Sequence, residues 1–598
     1  MKNILSLFVL VLLFSACDDL FEPAIENNRG LEAMYNEPTY AQGILANAYI
    51  LLPYSGTPNS DVATDDAVSN DNSNTYLAMA TGSWTANSNP LSQWQGRRNA
   101  IQYLNLFLAN VDQVVWSKDE VIRTMYNDRL KGEAYGLRAV QMYYLLLAHG
   151  GWTQDGRLLG VPILTEPETA SSDFNLPRNT FQECVDQIIA DANQAIELLP
   201  LDYGDIADAE IPNKYKTLGV SNAGDYNRVN GNHMRGRITG RIVEAVRAQV
   251  ALLSASPAYS AGTDVSWEDA ANFAATVLDR INGVSGLAAN GGIWYEKNQV
   301  ENLASGANHA EIIWRGDIGQ SITLETDNFP PSLYGRGRVN PTQNLVDAFP
   351  TVNGYPITDP ASGYDPANPY ANRDPRLGKY IVVNESQQGP SSSTIVIGTY
   401  NLDDNNQNND NDVINRESGL STRTGYYLRK LMRSDCNPDP QYNTEQKHYT
   451  ARIRYTELFL AYAEAANEAW GPTGNGGHAY SAYDVIKAIR QRAGIGLDND
   501  DAYLESVKGD QDAMRQLIRN ERRLELCFEN QRFWDLRRWK VANLNETARG
   551  MQIDKPSGSL IYSSINVEIR DYKDYMYHGP IPYGEIQKWS NLEQNVGW

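Results

Sequence analysis

Apolar residues recur at helical spacing in a series of windows divided by polar, Gly-rich and Pro-rich stretches. Tyr40 to Leu52 sets Ile44, Leu45, Ala48 and Leu52 on one face and stops at Pro53, which predicts a helix. Arg123 to His149 does the same through Met125, Leu130, Ala134, Leu137, Val140, Tyr144 and Leu145. Phe181 to Leu199 carries Phe181, Val185, Ile188, Ile189, Ala192 and Ile196. Further helices are predicted over Arg237 to Ala255 (ended by Ser256-Pro257), Trp267 to Ile281, Arg452 to Trp470, and Tyr480 to Arg492 with Gly494 as its cap. The last window, Gln511 to Lys540, spaces Met514, Leu517, Ile518, Leu524 and Phe528 as one long helix running into an aromatic, basic end. Its charges fall at pairing distance along a helix: Arg522 with Glu525, Glu529 with Arg532, Arg532 with Asp535. That arrangement predicts a packed scaffold helix with its own ion pairs, and Cys527 falls in its apolar pattern.

Between these windows the chain reads differently. Leu20 to Glu37 reads as an extended tether, and Ser55 to Thr81, with Asp61, Asp65 and Asp66, as a solvated polar loop. Asp202 to Gly231 is another polar loop. From Gly283 to Tyr449, Gly, Asn, Asp and Pro dominate, with short β-like runs at Glu311–Trp314, Tyr380–Val383 and Ile395–Ile397. The expectation is a mostly α protein: helical over 40–282, loop-rich over 283–449, helical again over 450–598. The helices arrive in pairs of roughly tetratricopeptide length, without a clean 34-residue consensus.

Composition narrows the function. The 598 residues carry 51 Lys+Arg against 73 Asp+Glu, a formal net charge of −22. Such a surface disfavours nucleic acid, whose binding needs phosphate neutralisation, and disfavours anionic lipid headgroups. The 35 Tyr and 12 Trp supply flat amphipathic side chains suited to sugar and peptide surfaces. Cys17, Cys184, Cys436 and Cys527 form no CxxC pair and show no metal-ligand spacing, and the six His form no HExxH, so no metal or other cofactor is expected. Asp403 to Asp412 (DDNNQNNDND) lacks the Gly and terminal Glu of a Ca²⁺ loop and reads as solvated chain. His149 closes its helix, where a cation suits the dipole, and has no adjacent partner for catalysis. No GxSxG elbow occurs, so no catalytic residues are assigned.

The N-terminus reads as a targeting segment. Lys2 precedes the apolar run Ile4 to Phe14, too short for a membrane span, and Ser15-Ala16-Cys17 follows. Small residues before a Cys resemble a lipoprotein signal, with residues 1–16 removed and 17–39 serving as lipid anchor and tether. Several acyl chains on Cys17 would hold stably where one is marginal. If Cys17 is modified, three thiols remain and at least one stays unpaired.

The segment IRNERRLELCFENQRFWDLRRW resembles the C-terminal signature of the SusD/RagB family of outer-membrane nutrient-binding lipoproteins. It matches at Glu521, Arg522, Glu525, Leu526, Phe528, Glu529, Arg532, Asp535, Leu536, Arg538 and Trp539. KGEAYGLRAVQMYYLLLAHGG, NPTQNLVDAF, PYANRDPRL, IRYTELFLAYAEAANEA and the ending PIPYGEIQKWSNLEQNVGW resemble further family segments, with Trp598 in place of the usual Tyr. The resemblance implies four degenerate TPR-like hairpins carrying a loop-rich ligand face. It also implies a non-enzymatic lipoprotein, anchored by Cys17 to the outer membrane and facing the exterior. Its task would be to capture an oligo- or polysaccharide and deliver it to a SusC-type TonB-dependent transporter. Sugar faces would stack on loop aromatics: Trp84, Trp294, Tyr334 and Tyr364, with Asp65 bonding hydroxyls. Trp314 reads as core. Two alternatives remain: peptide capture of the RagB kind, and a surface hydrolase with a carboxylate pair.

Overall fold

The computed structural model describes residues 30–401 and 410–598. Cys17 and the greater part of the Asp403 to Asp412 run lie outside the described residues. Ten helices form the helical array and its C-terminal extension: α1 (Pro38–Ile50), α2 (Trp94–Asn110), α3 (Glu120–His149), α4 (Phe181–Leu198), α5 (Gly240–Ala255), α6 (Trp267–Asp279), α7 (Tyr455–Trp470), α8 (Ala482–Ala493), α9 (Gln511–Leu526) and α10 (Arg532–Arg538). Each of the helices from α1 to α8 packs on the next, so neighbours in sequence are neighbours in space. The fold is mostly α, as expected. α6 packs directly on α7, although residues 280–454 lie between them.

Local chemistry sets the boundaries. Thr180 and Glu183 form a reciprocal capping box at the start of α4, and Ser266 with Asp269 repeats it on α6. Gly494 ends α8 at φ +91°, a left-handed cap for which glycine is suited. Inside α3, Gly136 permits close contact: a Cβ there would meet Val243 Cγ2 at 2.9 Å. The main core runs through α1 to α9, joining Leu104, Phe107, Leu137, Ile188, Val243, Leu458 and Ile518. A second core, built on Phe329, Phe349, Tyr380 and Tyr426, holds the loop-rich region against Leu524, Cys527 and Phe528. Strands are antiparallel and in separate pairs, mostly short, such as Ile312–Arg315 with Ala451–Arg454 and Gly319–Ser321 with Gln446–His448; the longest pair, Ala548–Asp554 with Ile561–Glu568, falls in the C-terminal stretch expected to be helical.

Several expectations change. The single helix over Gln511 to Lys540 is two helices, broken between Leu526 and Arg532, with Phe528 at φ +62° and Asn530 at φ +60°. Asp61 holds the break: its carboxylate accepts the Phe528 and Asn530 N–H groups at 3.1 and 3.0 Å. Lys430 closes the end of α9, donating to the Glu525 and Cys527 carbonyls at 2.7 and 2.9 Å. The Ser55 to Thr81 stretch is therefore not a solvated loop; residues 60–70 are buried beneath α9 and α10. Asp202 to Gly231 contains the helices Asn213–Thr217 and Ala223–Asn230, which pack Tyr215, Tyr226 and Val229 on Met125. Leu31–Tyr35, assigned to the tether, is a 3₁₀ turn with Met34 buried.

Most of the α9 and α10 charges find partners on other elements, although Arg538 with Asp535 at 2.9 Å follows helical spacing. Arg522 binds Asp535 across the break at 2.8 Å, Glu525 binds Arg376 and Arg492, and Glu529 binds Arg454 and Lys430. Arg376 also reaches Asp374 at 2.7 Å and Glu521 at 2.9 Å, so the loop-rich region is clamped to α9 by buried charge. His149 is no cation. Burial pushes it down to about 4, its Nδ1 lies 2.7 Å from the Pro580 carbonyl, and its Nε2 accepts the Gln93 N–H at 3.1 Å. The thiols of Cys184, Cys436 and Cys527 are all buried and unpaired.

Candidate functional site

A cavity of about 600 Å³ opens where the helical array meets the loop-rich region. α3 contributes Tyr143, Tyr144 and Leu147; α5 contributes Gln249, Leu252 and Leu253; α7 contributes Glu457. The break between α9 and α10 adds Glu529, Asn530 and Gln531, and α10 adds Trp534. The antiparallel strand pair of Gly319–Ser321 with Gln446–His448 forms one lip, and Tyr54 to Thr57 another. Tyr76, Trp294, Tyr449 and Arg452 complete the wall.

The lining alternates flat rings with hydrogen-bonding groups. Tyr54 meets Tyr144 edge to face at 5.3 Å, Tyr143 meets Tyr144 at 5.1 Å, and Trp294 tilts on Tyr449 at 5.0 Å. Glu457 accepts the Gln249 amide at 2.6 Å; burial raises its carboxyl, with Arg522 opposing. Gln249 Oε1 and Trp294 Nε1 are buried with no protein partner. Asp535 and Glu529 also face this space. Burial pushes each up, but Arg522 and Arg538 on the first, and Arg454 and Lys430 on the second, hold both below the ordinary carboxylate range.

Of the five residues expected to contact the glycan, the cavity takes in Trp294 alone. Trp294 is mostly buried and shows the space only its edge of the wall. Trp84 is 3% exposed, closed in by Phe533, Tyr572 and Trp598, with its Nε1 donating to Asn89 at 3.1 Å. It offers no ring face and is corrected to core. Asp65 is buried under two guanidiniums, 3.0 Å from Arg523 and 2.7 Å from Arg532, so it ties the 60–70 segment to α9 and α10. Burial raises its carboxyl, but these cations hold it well below the usual range. Tyr364 is half-buried under the Arg373 guanidinium at 5.3 Å, outside the cavity. Tyr334 is 55% exposed at φ +62° on a separate loop. The aromatics that do gather at the cavity, Tyr54, Tyr76, Tyr143, Tyr144, Tyr449 and Trp534, were not assigned. Tyr143 and Tyr144 are adjacent on a core helix, and nothing local distinguishes them from packing residues.

Comparison with known proteins fits this architecture. A family model described as "SusD family" matches residues 291–598, and one described as "Starch-binding associating with outer membrane" matches residues 33–215. The chain belongs to the SusD family. A SusD-like protein of Bacteroides fragilis superimposes with a TM-score of 0.71 at 22% identity, covering 96% of this chain and 100% of its own. A SusD-like carbohydrate binding protein of the same species gives a TM-score of 0.65 at 20% identity over 94% and 100%. Among curated relatives, SusD-like protein P25 of Formosa agariphila is 24% identical over 287 residues, 47% of either chain. SusD-like protein P2 of the same organism is 29% identical over 143 residues, 24% of either. The chain thus spans between a quarter and half the length of these curated relatives in the matched segments.

Proposed function

We propose that this protein captures an oligosaccharide in the cavity between helical array and loop region, without cleaving it. The observation that carries the reading is the lining itself. Aromatic rings from distant parts of the chain converge on one space, with Gln249, Glu457, Asn530, Gln531 and Arg452 set among them. Rings present apolar faces to sugar C–H surfaces, and the amides, carboxylate and guanidinium suit hydroxyls. Similar structures support it: one is a SusD-like carbohydrate binding protein and another a surface glycan-binding protein of Bacteroides fluxus. Binding without turnover is favoured because Asp535 and Glu529, the carboxylates beside Glu457, are saturated by cations and poorly placed to act as nucleophile or base. The remainder of the reading is that Cys17 carries the lipid, that the molecule sits on the outer face of the outer membrane, and that a SusC-type transporter receives the glycan.

The test is a panel of plant, microbial and host oligosaccharides and of peptides, titrated calorimetrically and followed by chromatography for products. One glycan class should bind and remain intact. Trp534→Ala and Tyr76→Ala should each weaken it about five- to thirtyfold, the loss of roughly 1–2 kcal/mol of ring contact. Released fragments would overturn the non-catalytic reading, and binding of peptides alone would overturn the sugar.

A further inference from the structure

At one lip of the cavity three residues of ligand type meet. Glu325 lies on the short helix Thr323–Asn328, His448 ends the strand Gln446–His448, and Cys436 sits in the loop that leads to that strand. Their Oε, Nε2 and Sγ atoms all lie within 4.8 Å of one another. Glu325 is fully buried, Cys436 is fully buried, and His448 is half-buried on the cavity wall.

The hydrogen bonding around them is unequal. Glu325 Oε1 accepts the Arg433 N–H at 2.7 Å and stands 2.9 Å from His448 Nε2. Glu325 Oε2 is buried and has no hydrogen-bond partner. His448 Nδ1 is 2.9 Å from the Gln446 carbonyl, so that nitrogen carries the proton. Nε2 faces a carboxylate oxygen at 2.9 Å, so a positive charge, a proton or a metal ion, belongs between the two. The Nδ1–H bond to a carbonyl is also the usual way a metal-ligating histidine is oriented. Cys436 Sγ makes a long contact to the Ser321 carbonyl at 3.8 Å and shares its thiol proton with the Glu325 carboxylate.

We propose that Glu325, Cys436 and His448 form a binding site for a divalent transition-metal ion of the zinc type. Sulfur, imidazole and carboxylate together suit zinc and disfavour calcium and magnesium, which take oxygen ligands. Tetrahedral zinc with bonds of about 2.0–2.3 Å holds its ligands roughly 3.3–3.6 Å apart, so the three atoms need move by only a fraction of their present spread. On binding, the Cys436 thiol proton leaves to solvent, and the ion's two charges cancel those of thiolate and carboxylate. Three protein ligands leave one tetrahedral position for water. The ligands come from a short helix, a loop and a strand, with Glu325 more than a hundred residues from the other two, which is why no ligand spacing shows in the sequence. The site does not depend on what the cavity binds.

The experiment uses the full-length protein, stripped with chelator and titrated with Co²⁺ and then with Zn²⁺. One equivalent of Co²⁺ should bind with a thiolate-to-metal charge-transfer band and tetrahedral d–d bands, and Zn²⁺ should abolish both. Cys436→Ser should remove the charge-transfer band, and His448→Ala should weaken Zn²⁺ at least about 100-fold, since loss of an outer-shell partner alone costs 10–100-fold. Far-ultraviolet circular dichroism and melting confirm that each variant is folded; His448, half-buried on a two-stranded antiparallel pair, is the safer of the two. A Co²⁺ spectrum without the thiolate band, no stoichiometric uptake, or uptake unchanged in both folded variants overturns the site and leaves a Glu325–His448 ion pair.

Discussion

Glu525 offers the sharpest test of how the α9 charge cluster holds the two cores together. Its carboxylate is about 1% exposed, with Oε1 3.0 Å from Arg376 and Oε2 2.9 Å from Arg492. Burial alone pushes the carboxyl up; Arg492, Arg376, Arg454 and Lys430 outweigh it and hold it at about 2, against 4.5 for a free glutamate. A depressed folded value means that the folded state binds fewer protons than the unfolded one. The contribution is therefore complete above about pH 4.5 and fades as pH falls toward 2. At 1.36 kcal/mol per pH unit it amounts to about 3 kcal/mol at neutral pH, and less than half of that survives at pH 3. Glu525→Gln keeps the shape and removes the charge. Urea unfolding, followed by tryptophan fluorescence on both proteins at pH 7, 4.5 and 3, should show the variant less stable by about 3 kcal/mol at pH 7, with the gap halved or less at pH 3. A gap that is constant from pH 7 to pH 3 would refute the charge argument and assign the loss to shape or hydrogen bonding. No gap at pH 7 would mean that desolvation cancels the attraction, as it does in many buried ion pairs.

Other predictions follow from the same structure. His149 and His578 are both pushed down to about 4 by burial, below an ordinary 6.5, so the unfolded chain binds protons that the folded one refuses. Stability should fall as pH drops from 6.5 to 4, by roughly 3 kcal/mol per residue, and the acid slope should flatten in His578→Gln. Phe107→Ala, at a fully buried position of the main core, should cost about 3–5 kcal/mol in urea unfolding; a loss under 1 kcal/mol would mean the site collapses around the void. Cys17→Ala should release the protein from membranes in fractionated cells lacking any partner transporter, and retention there would refute the lipid anchor.

What could be read from sequence was what is local. The helices of the array were legible because each buries one stripe, and the apolar period survives in Phe181 to Leu198 or Trp267 to Asp279. The break after α9 was not legible, because Phe528 and Asn530 adopt left-handed backbone only under the hold of Asp61, 467 residues away from Phe528. The same distance hid the ion pairs: spacing along a helix suggested Arg522 with Glu525, yet each is claimed by a residue from another element. Trp84 looked accessible because its neighbours in sequence are polar. Its neighbours in space, Phe533, Tyr572 and Trp598, come from the far end of the chain. The cavity aromatics escaped notice for the converse reason, since they sit within or beside core helices and become a wall only when five segments meet.

The direct packing of α6 on α7 has a consequence for how the chain is made. At about 5–20 residues per second, roughly 10–35 s separate the synthesis of Asp279 from that of Tyr455. Through that interval the growing array ends on an apolar helix face whose partner does not yet exist. The loop region emerges next, but its own core closes on Leu524, Cys527 and Phe528, which come later still. Neither half can finish alone. Neither core can close until the last quarter of the chain has been synthesised.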